Sequence, residues 1–190
     1  MDDAGGNANG PPHRCRDASE RRALMERAFA LGIPPDYGRA RKLRMQREPA
    51  QLVPIGPDIH GRMQWLQPRA ARALTRMRNA AGRAKVELQI VSAFRSIEYQ
   101  IGIVQRKLAR GLAMDEILRV SAAPGYSEHH SGRCVDFTAP GFAALEVEFE
   151  RAPAFRWLQC NAMEYGFALS YPRDNVHGIA YEPWHWCWHA

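Results

Sequence analysis

Two short segments constrain the fold more than any other part of the chain. Tyr126–Asp136 reads YSEHHSGRCVD and Tyr181–His189 reads YEPWHWCWH; together they hold four of the seven histidines. To act together, a loop-to-strand junction must come against a second strand. Metal-assisted hydrolysis needs three N or O ligands and one position left for water. It also needs a carboxylate that is not a ligand but reaches that water. His129 and Asp136 can supply two ligands across a turn at Gly132, where glycine lets the chain reverse. His185 can supply the third from a strand, and Glu182, tethered to it through Pro183, can place a carboxylate beside the water. The same residues also fit satisfied core histidines, a strand ion pair at Asp136 and core tryptophans at Trp184, Trp186 and Trp188.

Composition narrows the setting. The chain has 190 residues, 46% hydrophobic and 24% charged, which suits one globular domain with an arm. No run of about 18 apolar residues is present, so a transmembrane helix is not expected. The start, MDDAGGNANGPPHRC, has no apolar stretch and does not read as a secretory signal. As written, the sequence implies a cytoplasmic protein; a missing leader would place it in the periplasm or cell envelope. The net charge of +6 is unevenly spread. Residues 51–110 carry 11 basic and 3 acidic side chains, whereas residues 111–190 carry 5 and 10. The basic part lacks interleaved aromatics and DNA-reading motifs, so no nucleic-acid partner is expected. Four cysteines without CxxC spacing are not a disulfide scaffold. Cys160, in a helical pattern, reads as a small core residue.

Periodicity outlines the elements. Helices are expected at Ser19–Leu31, from Pro68 to about Gly82, from a Ser96 cap to about Gly111, at Met114–Val120 and at Pro153–Tyr165. Strands are expected at Val86–Ser92, Cys134–Phe137, Phe167–Tyr171 and Trp184–Trp188. The proline-punctuated stretch from Asp36 to His60 reads as irregular. Helices interrupting a few non-repeating strands make the class α+β. The organisation expected is a disordered arm over 1–18, a helix and irregular segment over 19–60 packed on the core, and a main domain over 61–190.

SEHHSGRCVD followed by EPWHW resembles the D-alanyl-D-alanine carboxypeptidases of the vancomycin-resistance type, within the zinc peptidases that include lysostaphin and the hedgehog domain. That family has S-x-H, then G, then D seven residues after the histidine, and finally E-P-W-H; Asp136 stands seven after His129. Upstream, Ser92–Gln100 (SAFRSIEYQ) resembles its G-[YF]-R-S-x-x-x-Q segment, and Trp157–Pro172 resembles its W-L-x-x-N-A-x-x-Y-G-F segment. The likeness runs from about Val86 to His189 and omits the first fifty residues.

The resemblance implies a small, mostly antiparallel central sheet flanked by helices, one Zn2+ ion, and a monomer. It assigns His129, Asp136 and His185 as ligands, Glu182 as the base, and Arg95 as the contact for the developing oxyanion. Ser127 would stand near the substrate's terminal carboxylate, and Gln100 would border the substrate. The expected substrates are peptidoglycan stem peptides or muropeptides, cut before a terminal D-alanine in a D,D- or L,D-carboxypeptidase reaction. An endopeptidase cutting between L-alanine and D-glutamate and a non-catalytic zinc-stabilised binding domain are the alternatives. His130, His177 and His189 are not expected to be ligands, although the His177 loop could border the cleft. Glu128 is either solvent-facing or a partner behind the ligands. The family usually has Ala where Cys134 stands and often Arg where Cys187 stands. Were Asp136 and His185 paired across antiparallel strands, Cys134 would face Cys187, as a disulfide or as two separate buried thiols.

Overall fold

The helices begin and end where local chemistry directs. In the computed structural model, which describes residues 11–15 and 17–189, α1 (Ala18–Ala30) starts where the Asp17 carboxylate accepts the Glu20 N–H at 2.9 Å. A short α2 (Tyr37–Ala40) follows. Strands β1 (Val53–Pro57) and β2 (Met63–Leu66) form an antiparallel hairpin. Helix α3 (Pro68–Arg83) has Pro in its first turn and buries Ala70, Ala73, Leu74, Met77 and Ala81. After β3 (Gln89–Ser92), α4 (Ile97–Ala109) is capped by the Ser96 hydroxyl, which accepts the Tyr99 N–H at 3.0 Å. Then come α5 (Met114–Arg119), β4 (Cys134–Thr138), α6 (Pro153–Asn161), β5 (Phe167–Leu169) and β6 (His185–Trp188).

The α+β reading holds. The main sheet has the order β3-β4-β6-β5, with every pair antiparallel. Strand β4 is buried along its whole length. Its alternation decides which face does what. Val135 and Phe137 point into the main core with Leu74, Met77, Leu158 and Trp186. Cys134 and Asp136 take the opposite face, opposite Cys187 and His185 in register. Helices α1 and α4 pack together through Leu24, Met25, Ala28, Ile97 and Ile101.

Three expectations are corrected. The stretch Asp36–His60 is not all irregular, because it contains α2 and β1. β1 pairs only with β2, and an edge strand tolerates Pro54, Pro57 and a bulge near Gly56, since it needs fewer ladder donors. Cys160 is exposed rather than core. The inward stripe of α6 is Ala154, Phe155 and Leu158, and Cys160, two residues past Leu158, lies across the helix from it. The helix expected to run to Tyr165 changes to a 3-10 turn at Ala162–Tyr165. The arm expected over 1–18 lies largely outside the described residues.

Candidate metal centre and cleft

The floor of the site is built from β4, β6 and the 3-10 turn Glu128–Ser131. Gly132 leaves that turn at φ 63°, a left-handed conformation that favours glycine. A Cβ there would also press on Pro49 and Leu52 and on the backbone of Gln67, at 3.1–3.3 Å.

Each histidine of the floor has its outer nitrogen tied. His129 Nδ1 lies 2.5 Å from the Ala93 carbonyl oxygen. A carbonyl only accepts, so Nδ1 carries the proton and Nε2 keeps its lone pair. That Nε2 is buried, makes no hydrogen bond, and lies 3.2 Å from Asp136 Oδ2. His185 Nε2 donates to Glu128 Oε2 at 3.0 Å, which turns Nδ1 toward Asp136 Oδ1, also at 3.0 Å. Ligand atoms of His129, Asp136 and His185 all lie within 4.8 Å of one another. The three residues are only 1–2% exposed.

Electrostatics agree with a cation at this point. Burial, with Arg95 nearby, lowers His129 to about 4 and keeps it a neutral donor. Burial opposes charge on His185, but hydrogen bonds to Asp136 and Glu128 outweigh it and lift the ring to about 10. The floor thus draws positive charge to the point between His185 and Asp136. Asp136 is held well below the usual carboxylate range: burial opposes this, and its two histidine neighbours overcome it. An orphaned imidazole nitrogen, a second nitrogen oriented by a carboxylate, and an ionised carboxylate fit a divalent metal of the zinc type.

Glu182 stands beside the three rather than among them, with Oε2 4.0 Å from His185 Nδ1. Burial pushes its carboxyl up to about 7. Arg95 also reaches the floor: Nη2 is 3.5 Å from Asp136 Oδ2, Nη1 is 3.5 Å from Gln100 Oε1, and Nε has no partner. The hairpin holds the turn that presents Arg95. Gln64 Oε1 accepts the Ala93 N–H at 3.0 Å, and the Trp65 carbonyl accepts the Phe94 N–H at 3.1 Å. Gln100 is almost fully buried and donates its amide to the Ala122 carbonyl at 3.0 Å, so it braces Arg95. Ser127 is buried and lines the same cleft of about 410 Å³.

All seven residues singled out in the sequence therefore border one cleft. His177 lies elsewhere, with Nδ1 2.9 Å from the Arg41 carbonyl oxygen. Two residues gain roles that the sequence left open or missed. Glu128 is the partner behind His185. His130, buried and kept neutral at about 3 by burial, donates from Nδ1 to the Arg95 carbonyl at 2.6 Å and accepts the Gly125 N–H at 3.1 Å. Cys134 and Cys187 form a disulfide, with S–S 2.06 Å, two cross-strand pairs along from Asp136 and His185, on the same face of the sheet.

Residues 63–190 match the VanY family of D-alanyl-D-alanine carboxypeptidases. The chain belongs to this family. Among VanY-type relatives, it is 33% identical over 153 residues to the bifunctional D-Ala-D-Ala dipeptidase and carboxypeptidase VanXYC of Enterococcus gallinarum, covering 75% of this chain and 76% of that protein. It is 32% identical over 174 residues to YodJ of Bacillus subtilis, covering 86% of this chain but 58% of that protein. Among solved structures, the LdcB LD-carboxypeptidase superposes with a TM-score of 0.65 at 32% identity, covering 74% of this chain and 69% of that one. A VanY D,D-pentapeptidase solved with Zn(II) superposes with a TM-score of 0.57 at 27% identity, covering 76% and 85%.

Proposed function

We propose that the chain is a zinc carboxypeptidase that removes the terminal D-alanine from peptidoglycan stem peptides, in the D,D or the L,D configuration. The observation that carries this reading is the buried, unpartnered Nε2 of His129, aimed at the same point as His185 Nδ1 and the Asp136 carboxylate. VanY and VanXYC relatives support the D-Ala-D-Ala specificity, and likeness to LdcB supports the L,D alternative.

His129, Asp136 and His185 would hold one zinc ion. Bound there, zinc supplies Lewis acidity, which makes water a stronger nucleophile and polarises a carbonyl oxygen. Glu182 Oε accepts the proton of the attacking water and returns it to the leaving amine as the C–N bond breaks. A carboxyl raised by burial toward neutral pH suits both transfers. The Arg95 guanidinium meets the negative charge that grows on the carbonyl oxygen, so it helps more in the transition state than in the ground state. Removing such a donor typically costs about 10²–10³ in rate. Glu128 fixes the ring of His185, and Gln100 and His130 fix Arg95. A purely binding domain has no need of a carboxylate raised toward neutrality beside its ligands.

The disulfide between Cys134 and Cys187 supports work in an oxidising compartment, where such bonds persist. The test is incubation of the zinc-loaded chain with defined stem peptides and mass spectrometry of the products. Loss of one terminal D-alanine is expected. Cleavage between L-alanine and D-glutamate, or no cleavage of any stem peptide, would remove this reading.

A further inference from the structure

Helix α3 carries a feature that the cleft does not use. It holds five arginines and no acid, whereas α1, α4 and α5 mix both signs. At about 100° per residue, Arg69, Arg72, Arg76 and Arg83 fall within about 60° of one another around the axis, in a row about 21 Å long. All four are exposed. Among the described residues, none of them makes an ion pair, a hydrogen bond or a ring contact. Like charges three and four apart on a helix repel, and no acid on α3 offsets them. Past the row, Arg78 and Lys85 border a groove of about 510 Å³; Glu87 also lines it, but its Oε1 accepts the Gln89 amide at 2.8 Å.

The row lies on the back of the main sheet. Leu74 and Met77 of α3 join Val135 and Phe137 in the main core, on the face of β4 opposite Asp136. No residue of α3 lines the cleft. A partner lying along α3 therefore leaves the metal centre open.

The chemistry of that partner can be narrowed. A straight row on a rigid helix meets several charges at once only if the partner carries them in its backbone, rather than on mobile branches. The guanidinium fork matches a phosphate with two parallel hydrogen bonds. The exposed face of α3 has no large apolar side chain to enter a bilayer and no aromatic ring to stack a base. Asn79 flanks the row instead, a side chain that both donates to and accepts from hydroxyl groups.

We propose that the α3 row is a docking surface for a linear polyol-phosphate polymer, with one phosphodiester in each repeat, which holds the protein in place while the cleft stays open. Docking there needs neither zinc nor turnover, so it stands or falls apart from the proposed reaction.

The experiment follows binding of the full chain to a labelled poly(glycerol phosphate) chain by fluorescence anisotropy. Four arginine–phosphate contacts give a log–log salt slope of about −3, a loss of about 50-fold in affinity between about 50 and 200 mM salt. Arg72→Gln, Arg76→Gln and Arg83→Gln together should leave a slope of about −0.7 and a loss of about 3-fold. A control with Arg22→Gln, Arg44→Gln and Arg151→Gln, also exposed, removes the same charge and should keep the slope near about −3. Should the α3 triple variant fold poorly, Arg76→Gln alone should reduce the slope by about 0.7. A slope unchanged in the α3 variants, or reduced as much in the control, overturns the proposal. So does α3-dependent binding of single-stranded DNA, or of vesicles containing phosphatidylglycerol, as tight as that of the polymer, since either gives the row another occupant. No binding of the polymer at the lowest salt ends it outright.

Discussion

At the floor of the cleft, His129, Asp136 and His185 are buried on two adjacent strands, and a carbonyl, two histidines and a carboxylate fix their outer atoms. On the α4 wall, Tyr99 and Arg106 are exposed and Lys107 is tied at one point. The floor has its geometry decided before any ligand arrives, as a metal centre requires. The wall keeps side chains that a ligand can still recruit. The floor is fixed by buried side chains from two paired strands, whereas the wall comes from one face of a single helix. The four-residue turn Glu128–Ser131 carries the ligand His129, the carboxylate that orients His185 and a strut for Arg95.

Variants on the two sides should behave differently. Glu182→Ala should lower turnover by roughly 10²–10⁴ while leaving metal content intact, measured by single-turnover kinetics and metal analysis. Near-normal turnover would take Glu182 out of the reaction. Replacing both Cys134 and Cys187 with Ala should cost about 2–4 kcal/mol in denaturant unfolding. The hydrogen-bonded ladder between β4 and β6 remains, so zinc should still bind; loss of binding would mean that the disulfide itself positions the ligands. Glu128→Gln should weaken zinc affinity about 10- to 100-fold, with turnover recovering at saturating metal. An unchanged affinity would return Glu128 to a surface role. At the wall, Arg106→Ala should shift stability by no more than about 0.5 kcal/mol and leave zinc affinity alone. A large loss of either would mean that the wall is part of the rigid floor.

Much of this was legible in the sequence because period and spacing carry it. The stripes of α3, α4 and α6 and the alternation of β4 and β6 are local patterns. The register that sets Cys134 against Cys187 followed once Asp136 and His185 were taken as neighbours. The hairpin was hidden because Pro54, Gly56 and Pro57 carry the composition of a loop, and only its position at an edge makes a strand of them. Cys160 was misplaced because one small residue barely affects a helical pattern. Roles that depend on orientation stayed open. Whether Glu128 faces solvent or His185 is decided by the 3-10 turn, and His130 braces Arg95 only because Gly125 and Arg95 meet in space.

The central claim is that His129, Asp136 and His185 form one metal site on a prebuilt floor. It is tested most directly by titrating the metal-stripped full chain, and its His129→Ala variant, with zinc against a competing chelator. The account predicts one tight site per chain in the wild type and its loss in the variant. A variant that binds zinc as tightly as the wild type would contradict it.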